Sequence, residues 1–190
     1  MSTLKRNITG RRFAQLAEKD EKIFHIRDLA NLWLITDKNT LRVTLKRYTD
    51  AGILHRVYRG LYTLLPPENC DPYQLGAHAL HQHCYVSTES VLFQEGYISQ
   101  KVYLYTFIGE TPQRLRAGPF IYRCRKLAPK YLFQSEGIVQ KNGVRTATVP
   151  RAIADILYYN PRFHFDRPVD WVKINALQKK IGYPLTRRKQ

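Results

Sequence analysis

Acidic side chains are scarce in this 190-residue sequence: 15 Asp and Glu stand against 31 Lys and Arg, a formal net charge of +16. Such a surface attracts polyanions and repels other basic proteins. Cysteine is sparse too. Cys70, Cys84 and Cys124 are an odd number with no CxxC pair, which argues against a disulfide framework and against a thiolate zinc site. No apolar run approaches the roughly 18 residues that a spanning helix needs, so no membrane is expected. The N-terminal MSTLKRNITGRRF lacks the apolar stretch and small-residue cleavage site of an export signal, and a cytoplasmic location is expected. Neither GxxxxGK(S/T) nor GxGxxG occurs, which leaves ATP-driven and dinucleotide chemistry without support.

What remains is a chain basic along its whole length, with 13 cationic against 6 acidic residues before Pro66 and 18 against 9 after it. Residues 1 to 10, polar and without apolar periodicity, read as a flexible basic arm. Phe13, Leu16 and Ala17 recur at helical spacing and predict a first helix from Arg11 to Lys22. Ile23 to Ile26 reads as a short strand, and Leu29, Ala30 and Trp33 form one face of a second helix, Arg27 to Trp33. LIT makes the turn. Thr36 or Asp37 caps a third helix from about Lys38 to Ala51, which Gly52 ends in a left-handed conformation.

Along that third helix Leu41, Leu45 and Tyr48 form the stripe that packs inward. The remaining face holds Lys38, Asn39, Thr40, Arg42, Lys46 and Arg47, cations and amides that a core cannot use and a major groove can. The segment ILHRVYRGLYTLLPP then reads as a hairpin around Arg59-Gly60, with Arg56 and Arg59 near its tip. A helix-turn-helix followed by such a wing predicts double-stranded DNA as partner, with Lys38, Asn39, Thr40, Arg42, Lys46, Arg47, Arg56 and Arg59 as the DNA-binding residues. Pro66-Pro67 marks the boundary between a domain of residues 1–66 and one of residues 67–190.

Beyond the boundary, PYQLGAHAL predicts a helix, CYVST a strand and ESVLFQEG a helix stopped by Gly96. KVYLYTFIG, PFIYRCRKL and EGIVQKNGVRTATV predict a sheet, with a two-residue turn at Asn142-Gly143. Pro150 opens a helix carrying Ala152, Ile153, Ile156 and Leu157, with Pro161 just past its end, and Val169 to Ile181 forms another before a frayed basic tail, PLTRRKQ. The fold class expected is α+β, a winged helix-turn-helix followed by a mixed α/β domain.

Chemistry has little support in this second half. Glu68, Asp71, Glu89, Glu95, Glu110, Glu136, Asp155, Asp166 and Asp170 form no D…ExK pattern for magnesium, Glu136 with Lys141 being the nearest approach. Asp155 reads as a polar flank of its helix. His78 and His81 lie at i, i+3, but His83 and Cys84 point apart at the start of a strand, so no metal is expected. The expectation is no enzyme and no cofactor. The aromatics Tyr97, Tyr103, Tyr105, Phe107, Tyr122, Tyr131 and Phe133 read as core, with the lining of a ligand-sensing pocket as the alternative.

The segments FHIRDLANLW and TLRVTLKRYTDAGILHRVYRGLYTL, followed by DPYQLGAHAL, YVSTESVLFQEGYI, VYLYTF and VPRAIADILYYNP, resemble the AbiEi family of antitoxins and transcriptional regulators of type IV toxin-antitoxin systems. YVSTESVLFQEG is similar to that family's Y-(I/V)-S-x-x-S-A-L-x-x-x-G, with Val91 in place of the usual small residue. The resemblance implies an N-terminal domain that represses its own promoter and a C-terminal antitoxin domain that counters a nucleotidyltransferase-like toxin. Winged-helix operators are often inverted repeats, so two molecules are expected on one promoter, a dimer on DNA whether or not they pair in solution. The alternative is a regulator whose C-terminal domain senses a ligand and has no antitoxin role.

Overall fold

A computed structural model describes residues 2–100 and 103–186, and no side chain of residues 2–9 is described. The fold is α+β and divides into two compact units between Asp71 and Pro72, five residues beyond the prolines that suggested a boundary. Lys101, Val102 and the final RRKQ, parts of an expected strand and tail, lie outside the described residues.

The first unit begins with α1, Ser2–Ala17. The expected arm at residues 1–10 is therefore corrected: from Ser2 it is helical, because once a turn has nucleated, each added residue needs only tolerable propensity. The helix also stops at Ala17 rather than Lys22, and of its expected stripe Leu16 alone is buried, with Phe13 and Ala17 exposed. β1 (Ile23–His25) runs directly into α2 (Ile26–Leu32), and α3 (Lys38–Asp50) precedes β2 (His55–Tyr58) and β3 (Leu61–Thr63). The strands form an antiparallel sheet in the order β1-β3-β2. Leu16, Phe24, Leu29, Trp33, Leu41, Leu45, Tyr48, Leu54 and Tyr62 share one core.

Two helix ends in this unit use the same device. The amides of Gly52 and Ile53 donate to the carbonyls of Thr49 and Tyr48 at the end of α3, and those of Leu34 and Ile35 donate to Asn31 and Ala30 at the end of α2. Both are Schellman closures, which need a left-handed residue after the cap. Gly52 supplies it at φ 69°, whereas Leu34 supplies it at φ 51° while 89% exposed.

The second unit holds α4 (Pro72–Leu80), β4 (Cys84–Val86), α5 (Glu89–Gln94), β5 (Tyr105–Gly109), β6 (Gln113–Ala117), β7 (Phe120–Lys126), α6 (Pro129–Leu132), β8 (Ile138–Lys141), β9 (Val144–Ala147), α7 (Val149–Tyr159) and α8 (Trp171–Ile181). Its six strands run in the order β6-β7-β5-β4-β9-β8, with β5 parallel to β7 and β4 parallel to β9. Asn142 and Gly143, both at positive φ, make the two-residue turn between β8 and β9. α4 covers one face so closely that a Cβ on Gly76 would lie 2.4 Å from the Tyr122 ring. On the opposite face, Ser90 of α5 bonds the amide of Thr106, and Asp155 of α7 accepts from Tyr85.

Asp155 is thus no polar flank, and that reading is corrected. It is fully buried and accepts from Arg151 Nε at 2.9 Å, Ser87 at 2.7 Å, Tyr183 at 2.7 Å and Tyr85 at 3.1 Å. Arg151, equally buried, donates onward to the carbonyls of Gln134, Glu136 and Tyr131. Burial pushes the Tyr85 and Tyr183 phenols up, which keeps them protonated as donors to the carboxylate. A buried ion pair survives when its remaining hydrogen-bonding capacity is used in this way.

Candidate nucleic-acid interface

The interface is built outward from α3. Asp37, at the N-cap, accepts from the Thr40 amide at 2.8 Å and the Thr40 hydroxyl at 2.6 Å. Those two bonds, the hydroxyl first, hold the Asp37 carboxyl below its ordinary range. With Leu41, Thr44, Leu45 and Tyr48 buried, the helix turns Lys38, Asn39, Arg42, Val43 and Lys46 outward.

The hairpin supplies the other wall. Tyr58 pairs with Leu61, leaving Arg59 and Gly60 as the two turn residues, and the register shifts between Arg56 and Tyr58. Gly60, at φ 96°, adopts a conformation that side chains resist. Its carbonyl accepts from the Ile26 amide at 2.9 Å, tying the first turn of α2 to the tip of the hairpin.

Together these elements enclose an open groove of about 1280 Å³, beyond the range of an ordinary small-molecule pocket. Six cationic side chains line it, Arg27, Lys38, Arg42, Lys46, Arg56 and Arg59, with Asn39 and Thr49 as polar and Ile26, Val43, Leu45 and Tyr62 as less polar members. No carboxylate among the described residues lines it. Asp50 lies just beyond, bonded to Lys46 at 2.8 Å, but both groups are well exposed, and such a pair is weak and screened by salt. Six positive charges without lining counter-charge make a field that accumulates anions.

Of the eight residues expected to meet DNA, six border this groove: Lys38, Asn39, Arg42, Lys46, Arg56 and Arg59. Thr40 and Arg47 do not. The Thr40 hydroxyl is occupied by the Asp37 cap. Arg27 is the cation that sequence reasoning missed. Periodicity marked it only as the start of a helix; what brings it to the groove is the pairing of His25 with Leu61, a long-range contact.

No protein-family model and no curated protein matches this sequence. Among solved structures, the chain is similar to the RV2827C protein from Mycobacterium tuberculosis, at a TM-score of 0.57 and 12% identity, covering 94% of this chain and 72% of that one. At that identity the likeness concerns the fold alone.

Several ionisable groups outside the groove are engaged locally. His83 contacts Arg145 and faces the Phe133 ring. Glu89 pairs with Arg125, and Asp170 caps α8 through the Lys173 amide at 3.0 Å. Burial raises the thiols of Cys84 and Cys124 to about 12, which leaves both unreactive at neutral pH. Among the described residues, no three His, Cys, Asp or Glu side chains are grouped to hold a metal, and no helix is long and apolar enough to cross a membrane. A second basic surface lies on β6 and β7, where Arg114 stands directly opposite Arg123 and both, with Arg116, are exposed.

Proposed function

We propose that the first unit is a winged helix-turn-helix that binds double-stranded DNA, with α3 as recognition helix and the β2–β3 turn as wing. The observation that carries this is the groove lined by six cations and no carboxylate, shared by α3, the hairpin tip and the start of α2. Arg42 and Asn39 read base edges, for which a guanidinium suits guanine and an amide suits adenine. Lys38, Lys46, Arg27 and Arg56 meet phosphates, and Arg59 reaches the backbone or a minor groove.

The chain then acts as a transcriptional repressor of its own operon, two molecules sharing one operator. The resemblance of its second half to AbiEi proteins supports an antitoxin role against a nucleotidyltransferase-like toxin. The exposed Arg114, Arg116 and Arg123 support a negatively charged partner for that half. Titration of the full-length protein against promoter duplex tests the DNA reading. Affinity should fall linearly on a log-log plot against salt, with a slope of about −0.9 per phosphate neutralised, and Lys46→Ala should flatten that slope by about 1. Absence of duplex binding at low salt rejects it. Co-expression with the product of a neighbouring toxin gene tests the antitoxin role, which persistent growth arrest rejects.

A further inference from the structure

Val43 is a residue of α3 that the core does not claim. The buried side of the helix is complete with Leu41, Thr44, Leu45 and Tyr48, and Val43 stands 59% exposed. A β-branched side chain on the solvent side of a helix gives up rotamer freedom without gaining burial. Its helical neighbours at i−4 and i+3 are Asn39 and Lys46, and Arg42 precedes it; all four border the groove. The patch therefore presents three chemistries at once: an amide, cations and a pair of methyl groups.

If α3 lies in a major groove, the reading on which this inference rests, each chemistry has its own base edge. Guanidinium matches guanine O6 and N7, amide matches adenine N6 and N7, and thymine alone displays a C5 methyl. We propose that Val43 is a specificity-determining residue that packs on the C5 methyl of a thymine beside the base pairs read by Asn39 and Arg42. The charged heads of the neighbouring cations cannot make that contact. Apolar surface exposed to solvent in the free protein is removed from water on binding, and a thymine methyl packed on it adds its own buried apolar area to the gain.

The test begins by selecting duplexes from a randomised library with the full-length protein. Each thymine of the selected duplex is then replaced singly by deoxyuridine, which removes the C5 methyl and leaves the hydrogen-bonding edges unchanged. Wild type should lose about fourfold in affinity at one such thymine, the worth of one buried methyl. Val43→Ala should bind the thymine and deoxyuridine duplexes equally at that position, while Val43→Ile, which keeps the branched methyl, should retain the loss. Thermal unfolding checks that both variants are folded, as the exposure of the side chain leads one to expect. The inference is overturned if no deoxyuridine weakens wild type, or if the loss persists in Val43→Ala. Enrichment of a defined duplex without methyl dependence removes Val43 alone. Failure to enrich any duplex overturns sequence-specific DNA binding, and the role of Val43 with it.

Discussion

In the first unit Arg42, Arg56 and Arg59 stand exposed along a groove that no described carboxylate lines, whereas in the second Arg151 is fully buried against Asp155 and capped by three carbonyls and a phenol. The same side chain follows two different rules. An exposed guanidinium contributes little to folding, even where, as at Arg56, it donates to one nearby carbonyl, and it is available to a polyanion. A buried one must be satisfied within the protein, and its loss leaves a charged carboxylate stranded. Net charge alone cannot separate these cases, since both halves of the chain are basic. What separates them is burial together with a carboxylate and several carbonyls converging on one guanidinium.

The largest effect that sharpens this contrast is expected at Arg151. Arg151→Met should destabilise the second unit by about 3–5 kcal/mol, because Asp155 would keep its burial and lose its counter-ion. Arg151→Met combined with Asp155→Leu should recover only part of that loss, since it removes the stranded charge but leaves the Ser87, Tyr85 and Tyr183 hydroxyls and three carbonyls without these partners. The two tryptophans divide the readout, Trp33 lying in the first unit and Trp171 in the second. In denaturant unfolding followed by fluorescence, a Trp171→Phe background isolates Trp33, whose transition should not move. Equal stability of Arg151→Met and wild type would break the comparison.

The reverse pattern is expected for the groove. Arg42→Ala should change stability by no more than about 0.5 kcal/mol, as is usual for an exposed site, yet cost about 1–3 kcal/mol of operator binding and relax preference at one base pair. Equal operator affinity of Arg42→Ala and wild type would reject the assignment, and a large loss of stability would place Arg42 with the structural arginines.

Much of the first unit was legible in the sequence because its signals are local. Asp37, the Leu41–Leu45–Tyr48 stripe and Gly52 fix α3 from within 16 residues, and Arg59-Gly60 fixes the hairpin. The helical start of the chain was not legible, since residues 2–10 carry no apolar period. Nor was β6: QRLRA alternates as a strand should, but it lies between two turns and holds one large apolar residue, Leu115. Asp155 was misread for a related reason. Its four donors come from Tyr85, Ser87, Arg151 and Tyr183, and three of those four are remote in sequence.

A smaller effect tests the two helix ends that share one closure. Leu34 occupies the left-handed position that Gly52 occupies after α3, and a side chain there costs about 1–2 kcal/mol, partly offset in a glycine variant by the greater freedom of the unfolded chain. Leu34→Gly should therefore stabilise the first unit by about 0.5–1 kcal/mol. Gly52→Ala should destabilise it by about 1 kcal/mol, although its Cβ would meet open space. If both substitutions lowered the midpoint of the Trp33 transition, the strain relieved at Leu34 would be smaller than the unfolded-chain freedom that glycine adds.

The smallest expected effect concerns Asp37, the carboxylate that caps the helix bearing most of the groove. Its pKa is depressed because the Thr40 hydroxyl and amide bond the ionised form. A depressed carboxylate contributes stability that is fully present above its unfolded pKa, near 3.9, and is lost as the pH falls through the lower folded value. Asp37→Asn keeps a side-chain oxygen for the cap but removes the titration. Wild type should thus hold its advantage over Asp37→Asn from pH 7 down to about pH 5, and lose it progressively below about pH 4. Other carboxylates titrate in the same window, and taking the difference between the two proteins cancels them. The measurement is the gap between their Trp33 unfolding midpoints at several pH values. A gap that stayed constant, or widened toward acid, would show that the negative charge at this helix start contributes nothing and that the oxygen alone makes the cap.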